Sequence, residues 1–212
     1  MYEAYNSTFI ALIPKTDNPG SFDDFRPISL YNCIYKIIAK IIANHLRPII
    51  STHISSEQFS LLQYQQIHEV VGIAQEVLHS IQTKKLKGMI LKVDLSKAFD
   101  CASWLYIRIL LIHLGFPIEF INWIMCCITN ISFSDLINGS VSLFFHSERG
   151  LRQGCPLSPL LFLLIMEGLS RLILEEHGIL RLQGIRITDN YKVTHLLFVD
   201  DVFSSWTVAL GT

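Results

Sequence analysis

Net charge is nearly absent from this sequence: 17 lysines and arginines face 18 aspartates and glutamates, leaving −1 over 212 residues. That balance excludes the chain-wide basic field of a nucleic-acid-binding domain. Local patches remain, because Lys36, Lys40 and Arg47 stand together, as do Lys84, Lys85, Lys87 and Lys92, and Arg149 with Arg152. The cysteines, Cys33, Cys101, Cys126, Cys127 and Cys155, contain no Cys-x-x-Cys and no Cys/His set at zinc-finger spacing. Their odd, scattered distribution speaks for reduced thiols in an intracellular protein. The N-terminus, with Glu3, Asn6 and Ser7, lacks the basic-then-apolar pattern of a secretory signal. No apolar run reaches the about 20 residues of a membrane span. The longest, Leu160 to Leu174, is broken by Glu167 and Arg171 and reads as a buried helix. Internal repeats and low-complexity stretches are also missing.

What is abundant is apolar side chain, at 50% of residues with a mean hydropathy of +0.40. Either the core is large, or part of the apolar surface expects a partner or further chain. Along the sequence, Phe9 to Ile13 reads as a short strand closed by Pro14, and residues 16–27 as loop and turn. A helix is predicted from Ile34 to Leu46, with Ile34, Ile37, Ile38, Ile41 and Ile42 as its apolar stripe and Pro48 as its stop. Residues 65–83 form a second helix with Ile67, Val70, Val71, Ala74, Val77, Leu78 and Ile81 inward. A strand follows over residues 89–93, then helices over 103–114 and 117–128, the first closed by Gly115. Asn138-Gly139 marks a hairpin. After a polar loop over 146–154, Pro159 opens a helix reaching Glu176. Strands are predicted over 192–199 and 202–207, joined by a turn at Asp200-Asp201. This order of elements, with strands drawn from distant segments, implies an α+β fold.

The chemistry begins with Phe198-Val199-Asp200-Asp201-Val202, two aspartates between two apolar strand segments. Adjacent carboxylates at the end of a buried hairpin repel each other and are costly to desolvate. A divalent cation offsets that cost. Taken alone, the pair reads more simply as a polar turn. Leu91-Lys92-Val93-Asp94 repeats the pattern, an apolar strand ending in aspartate. If the two strands are sheet neighbours, Asp94, Asp200 and Asp201 converge into a hard-oxygen site suited to Mg²⁺. Two such ions would clamp the attacking and leaving oxygens of a phosphoryl transfer. Asp23-Asp24 lies outside any predicted strand, beside Pro27, and reads as a solvated turn. Arg149 to Pro159 is a third signal: glycines permit close backbone approach, the arginines can face phosphate, and a helix N-terminus follows.

Together these segments resemble reverse transcriptases, most closely those of plant-type non-LTR (LINE-type) retrotransposons. The resemblance rests on five ordered blocks: residues 9–15, residues 25–40, Leu91 to Asp100, Gly150 to Pro159, and His195 to Asp201. It implies fingers plus palm, a ferredoxin-like antiparallel sheet with packed helices. Residues 1–86 would supply the fingers and connecting helices, and residues 87–212 a palm without a thumb. It implies that Asp94, Asp200 and Asp201 are catalytic and, with the Leu95 carbonyl, hold two Mg²⁺ ions, Mn²⁺ being an alternative. Lys15 and Arg26 would meet the triphosphate of the incoming dNTP. Phe99 would exclude a ribose 2′-hydroxyl, and Gln153 and Gly154 would contact nucleotide and template. Arg149, Arg152, Lys36 and Lys40 would hold nucleic acid. The partners implied are an RNA template, a DNA primer and dNTPs, with no membrane.

Two departures stand out. Tyr64-Gln65-Gln66 replaces the family's usual Gly-Arg-Gln, and Asp100-Cys101-Ala102-Ser103-Trp104 replaces Asp-Arg-Val-Ser-Trp, so two arginines are missing. The chain also ends 11 residues past Asp201 (212 − 201). The alternative expectation is therefore a catalytically incomplete retrotransposon remnant with weak nucleic-acid binding. A nucleotide cyclase, which would share the palm, is disfavoured by the blocks around Lys15 and Arg26.

Overall fold

The computed structural model describes residues 6–59, 67–129, 131–179, 183–188 and 191–207. The chain forms two compact units, each assembled from two segments: Met1–Ile49 with Phe99–Phe162, and Ile50–Ala98 with Leu163–Thr212.

The first unit is built on a sheet. Strand β1 (Thr8–Pro14) pairs antiparallel with β2 (Phe25–Tyr31) and parallel with β4 (Ser132–Ile137). Two short strands, β5 (Ser140–Val141) and β6 (Phe145–His146), both pair antiparallel with β4. The predicted turn at Asn138-Gly139 is present, with φ of 51° and 80°, both positive as a two-residue type I′ hairpin requires. Residues 25–27 are strand rather than the predicted loop. Pro27 is tolerated because β2 is the outermost strand of the sheet, where a missing N–H breaks no ladder bond. The Asp23-Asp24 turn is as predicted, a single 3-10 turn over Phe22–Asp24. The Asp24 carboxylate accepts the Gly20 and Ser21 N–H groups at 2.9 Å each. Those bonds, the Ser21 hydroxyl and the nearby Lys15 charge lower its pKa.

Helix α1 (Cys33–Ser51) runs through Pro48 instead of stopping there. One proline forfeits a single bond to the carbonyl four residues back, and Leu46 and Ile50, both 0% exposed, anchor the turn on either side of it. The buried face also differs from the prediction. Tyr35, Ala39, Ile42, Ala43 and Leu46 are buried, whereas Ile34, Ile37 and Ile41 are about half exposed. The two alanines allow close approach, and the Tyr35 hydroxyl donates to the Cys127 carbonyl at 3.1 Å, so this face satisfies a polar group that an isoleucine face leaves unmet. Helix α3 (Trp104–His113), capped by the Ser103 hydroxyl, packs against α4 (Ile118–Ile128).

In the second unit β3 (Gly88–Asp94), β10 (Asp201–Thr207) and β9 (His195–Phe198) form an antiparallel sheet in the order β3-β10-β9. Residues 57–59 extend it beside β9: Leu197 N–H donates to the Glu57 carbonyl and Phe59 N–H to the Leu197 carbonyl, both at 2.8 Å. Helix α2 (Ile67–Thr83) covers β9 and a hairpin of β7 (Ile185–Thr188) and β8 (Tyr191–Val193). Residues 65 and 66 of the predicted helix lie outside the described residues. The core joins Phe59, Val77, Ile185, Val193 and Leu196, with Val70, Ile73, Ala74, Ile81, Ile90 and Phe203 packed on it. Val71 and Leu78, assigned inward by period, are half exposed. The predicted strand 192–199 divides at Thr194, where the chain leaves the partner β7 for the partner β10. The long helix α5 (Ser158–Gly178) matches its prediction. The fold is thus α+β. No helix among the described residues is long and apolar enough to cross a membrane.

Candidate active site

The carboxylates are set by strand register. Asp201, the first residue of β10, is the direct cross-strand partner of Asp94, the last of β3. Asp200 lies in the turn, and its carbonyl accepts the Leu95 N–H at 3.1 Å. The turn is Val199-Asp200 rather than the predicted Asp200-Asp201, because Asp201 already pairs with Phe198. That one-residue difference decides the geometry: facing partners on neighbouring strands project to the same side of the sheet, so Asp94 and Asp201 share a face. Val199 has φ of 53°, a conformation costing a β-branched residue on the order of 1–3 kcal/mol. Strain therefore sits beside the acids.

Two facing carboxylates destabilise a sheet. Lys92, two residues before Asp94 and on the same face, reaches Asp201 with its ammonium at 3.2 Å from Oδ1. Among the described residues no three His, Cys, Asp or Glu side chains gather closely enough to hold a metal ion. The donor set is nonetheless all oxygen and gathered where β3 ends and β10 begins, which fits a hard divalent cation in kind and in backbone placement.

The first unit holds the glycine- and glutamine-bearing loop. Gly150 has φ of 96°, and a Cβ there would lie 2.8 Å from the Asp100 carbonyl oxygen. Gly150 N–H donates to Ala102, Leu151 N–H to Phe99, and the Trp104 indole N–H to the Gly150 carbonyl, at 2.7–2.8 Å. The loop is therefore fastened to residues 99–104. The Phe99 ring stacks on Phe162 with centroids 4.5 Å apart. Gln153 is exposed, and its carbonyl accepts the Tyr31 hydroxyl. Gly154, at φ of 84°, lies against the Tyr31 ring. Burial pushes the Tyr31 phenol up to about 12 and raises the Tyr35 phenol further.

Arg152 is not on a phosphate-facing surface. It is 6% exposed and donates to Thr8 Oγ1 at 2.9 Å, Asn6 Oδ1 at 2.6 Å and the Cys127 carbonyl at 2.7 Å. Its guanidinium carbon sits 4.0 Å from the Tyr35 ring centroid and 5.3 Å from that of Tyr31. A planar cation fully engaged by three acceptors and two rings is core structure. The other cations stay on the surface. Arg26, Arg149, Lys36 and Lys40 are exposed, with the Lys36 ammonium 5.8 Å from the Tyr31 centroid. Lys15, also exposed, donates to the Asp23 carbonyl at 2.7 Å.

A polar network behind the hairpin went unread in the sequence. The buried His195 ring on β9 meets the Ser170 hydroxyl at 2.7 Å and the Thr194 hydroxyl at 2.8 Å. Ser170 meets Ser55 at 2.9 Å, Ser55 donates to Glu167 at 3.0 Å, and Arg171 pairs with Glu167 at 3.0 Å. The signal available was Glu167 itself, the one acid within the apolar run Leu160 to Leu174. Tyr64-Gln65-Gln66 lies outside the described residues.

Residues 13–206 match the family model for reverse transcriptase (RNA-dependent DNA polymerase). Curated relatives include the transposon TX1 149 kDa protein of Xenopus laevis, 28% identical over 91% of this chain and 14% of that protein. The Pol polyprotein of the type-2 retrotransposable element R2DM of Drosophila melanogaster is 31% identical over 78% of this chain and 16% of its own length. The chain thus spans about a sixth of such relatives. Among solved structures, telomerase from Candida tropicalis in complex with a TWJ fragment of telomeric RNA aligns at a TM-score of 0.66. It is 14% identical, with 96% of this chain and 36% of that chain covered. Apo telomerase from the same organism, truncated from the C-terminal domain, gives 0.59 with 98% and 45% covered.

Proposed function

This chain belongs to the reverse transcriptase (RNA-dependent DNA polymerase) family, and on that premise we propose that it supplies the fingers and palm of an RNA-directed DNA polymerase of a non-LTR retrotransposon. The observation that carries the reading is the register that sets Asp94 opposite Asp201, with Asp200 in the adjoining turn. In this reading residues 1–86 act as fingers and connecting helices and residues 87–212 as palm. Asp94, Asp200 and Asp201, with the Leu95 carbonyl, hold Mg²⁺. When bound, the metal supplies a lowered pKa for a primer 3′-hydroxyl and charge stabilisation for departing pyrophosphate.

The remaining roles belong to side chains of this chain. Lys92 keeps Asp201 neutralised until a cation arrives, and then turns to solvent. Lys15 and Arg26, exposed and without a carboxylate partner among the described residues, take the triphosphate. Phe99, held flat on Phe162, presents a fixed edge against a ribose 2′-hydroxyl. Gln153 and Gly154 approach nucleotide and template, their backbone held by Tyr31. Arg149, Lys36 and Lys40 bind nucleic-acid phosphates. The Lys92–Asp201 pair also favours a second reading, a remnant that keeps the acids but no longer assembles a metal site. Primer extension on an RNA template with Mg²⁺ and dNTPs, comparing the chain with its Asp200→Asn variant, separates the two. Product from the parent alone supports the polymerase, and no product from either supports the remnant.

A further inference from the structure

One corner of the second unit concentrates positive charge in a way that the acids do not explain. Arg186 on β7 and Lys192 on β8 are direct cross-strand partners, and both are exposed. Like charges facing each other across a hairpin are destabilising. The Lys84 ammonium is drawn to the same hairpin, donating to the carbonyls of Arg186 at 3.2 Å and Ile187 at 3.0 Å. Lys85 and Lys87 follow in the adjoining turn. None of these cations is ion-paired among the described residues.

A helix C-terminus accounts for Lys84 and Lys85, since cations there complement the dipole. It does not account for Arg186 and Lys192, which lie on a hairpin. Among the described residues, the carboxylates near this hairpin belong to its other face: Glu69 and Glu76 of α2 line a hollow with Ile187 and Tyr191, on the side where Ile185 and Val193 are buried. Among the described residues the outward face of the hairpin therefore presents Arg186 and Lys192 without a carboxylate beside them.

We propose that Lys84, Arg186 and Lys192 form a second phosphate-binding surface that holds the phosphodiester backbone of nucleic acid without regard to sequence. Its place relative to the acids follows from β3. Gly88 packs against Ile185, so the corner stands at the start of the strand that ends in Asp94. Six residue steps at about 3.3 Å put it roughly 20 Å from the catalytic end. That separation suits a contact that retains template or product while the reacting end is engaged elsewhere. The assignment of nucleic acid as the anion rests on the reverse transcriptase reading.

The test is fluorescence anisotropy on the full chain with two labelled probes, a single-stranded RNA and an RNA–DNA primer–template hybrid, across a salt series. The triple variant Lys84→Gln, Arg186→Gln, Lys192→Gln should bind the preferred probe at least about tenfold more weakly. Its log Kd against log salt should be flatter by about two, at roughly 0.7–0.9 per phosphate contact. The probe that loses more identifies single strand or duplex as the source of the phosphate. Arg186→Lys should retain binding, and Lys192→Gln alone, checked by circular dichroism, should give a partial loss that guards against misfolding of the triple variant. Unchanged affinity and slope in folded variants would overturn the proposal, as would a parent that binds neither probe. Asp94→Asn should leave binding intact while removing extension, so failure of the surface and failure of the polymerase reading are separable.

Discussion

Arg152→Met is the substitution that most sharply separates a core arginine from a phosphate-binding one. Methionine keeps most of the packing against Tyr31 and Tyr35 but removes the donors. Two acceptors, Thr8 Oγ1 and Asn6 Oδ1, then lose this donor in the interior, while the Cys127 carbonyl keeps the Tyr35 hydroxyl. Each buried acceptor left unmet costs about 1–3 kcal/mol. Asn6 remains fixed by its own donations to the Cys126 and Thr129 carbonyls at 3.4 and 2.9 Å, and the methionine avoids burying a charge, so the sum falls short of additive. A net loss of about 3 kcal/mol follows, or roughly 6–12 °C in Tm at about 2–4 °C per kcal/mol for a chain of this size. Arg152→Lys should lose nearly as much, because one ammonium cannot reproduce the planar fork. Urea and thermal melts measure the loss, and a salt series with RNA measures the alternative. Had Arg152 been a phosphate contact, methionine would leave stability within about 0.5 kcal/mol and flatten the salt slope by about 0.7–0.9. That pair of results would refute the core assignment.

Gly150→Ala should destabilise by at least about 1–3 kcal/mol, because the new Cβ meets the Asp100 carbonyl oxygen at 2.8 Å on a backbone already in the left-handed region; chemical denaturation reads this directly. Lys92→Met should lower metal-free stability by less than about 1 kcal/mol, as an exposed pair contributes little. It should also tighten divalent-cation binding several-fold by removing the competitor for Asp201, seen as a larger metal-dependent rise in Tm. The Tyr31 phenol, raised from 10.0 to about 12 in the folded chain, makes a contribution that is fully present below pH 10 and lost as pH climbs from 10 towards 12. Tyr31→Phe should flatten that part of the stability profile in pH-dependent melts.

The hairpin that carries Asp200 and Asp201 was legible because strand and carboxylate are both local signals, and the pattern occurs twice. Its turn was displaced by one residue because aspartate is a better turn former than valine, whereas register places the strained Val199 in the turn. Arg152 was misread because an arginine between glycines looks solvated, and the tyrosines that enclose it lie about 120 residues away in sequence, as the 120-residue separation of Tyr35 from Cys155 illustrates. The face of α1 was misjudged since five isoleucines satisfy helical period, but Ala39 and Ala43 decide which side comes close to a neighbour. Pro27 argued for a loop because no sequence shows which strand will be an edge. The His195–Ser170–Ser55–Glu167 network joins three separate segments of the chain, and only Glu167 among them stands out alone.

In the proposed polymerase, Asp94, Asp200 and Asp201 form a divalent-metal site. Mn²⁺ binding to the chain, followed by the paramagnetic resonance signal of the free ion, tests it without requiring turnover. Asp94→Asn and Asp200→Asn should each weaken binding at least about tenfold, as loss of a charged oxygen ligand demands, while Asp23→Asn in the solvated turn should change nothing. Equal Mn²⁺ affinity in all three variants, or no binding by the parent, would contradict it.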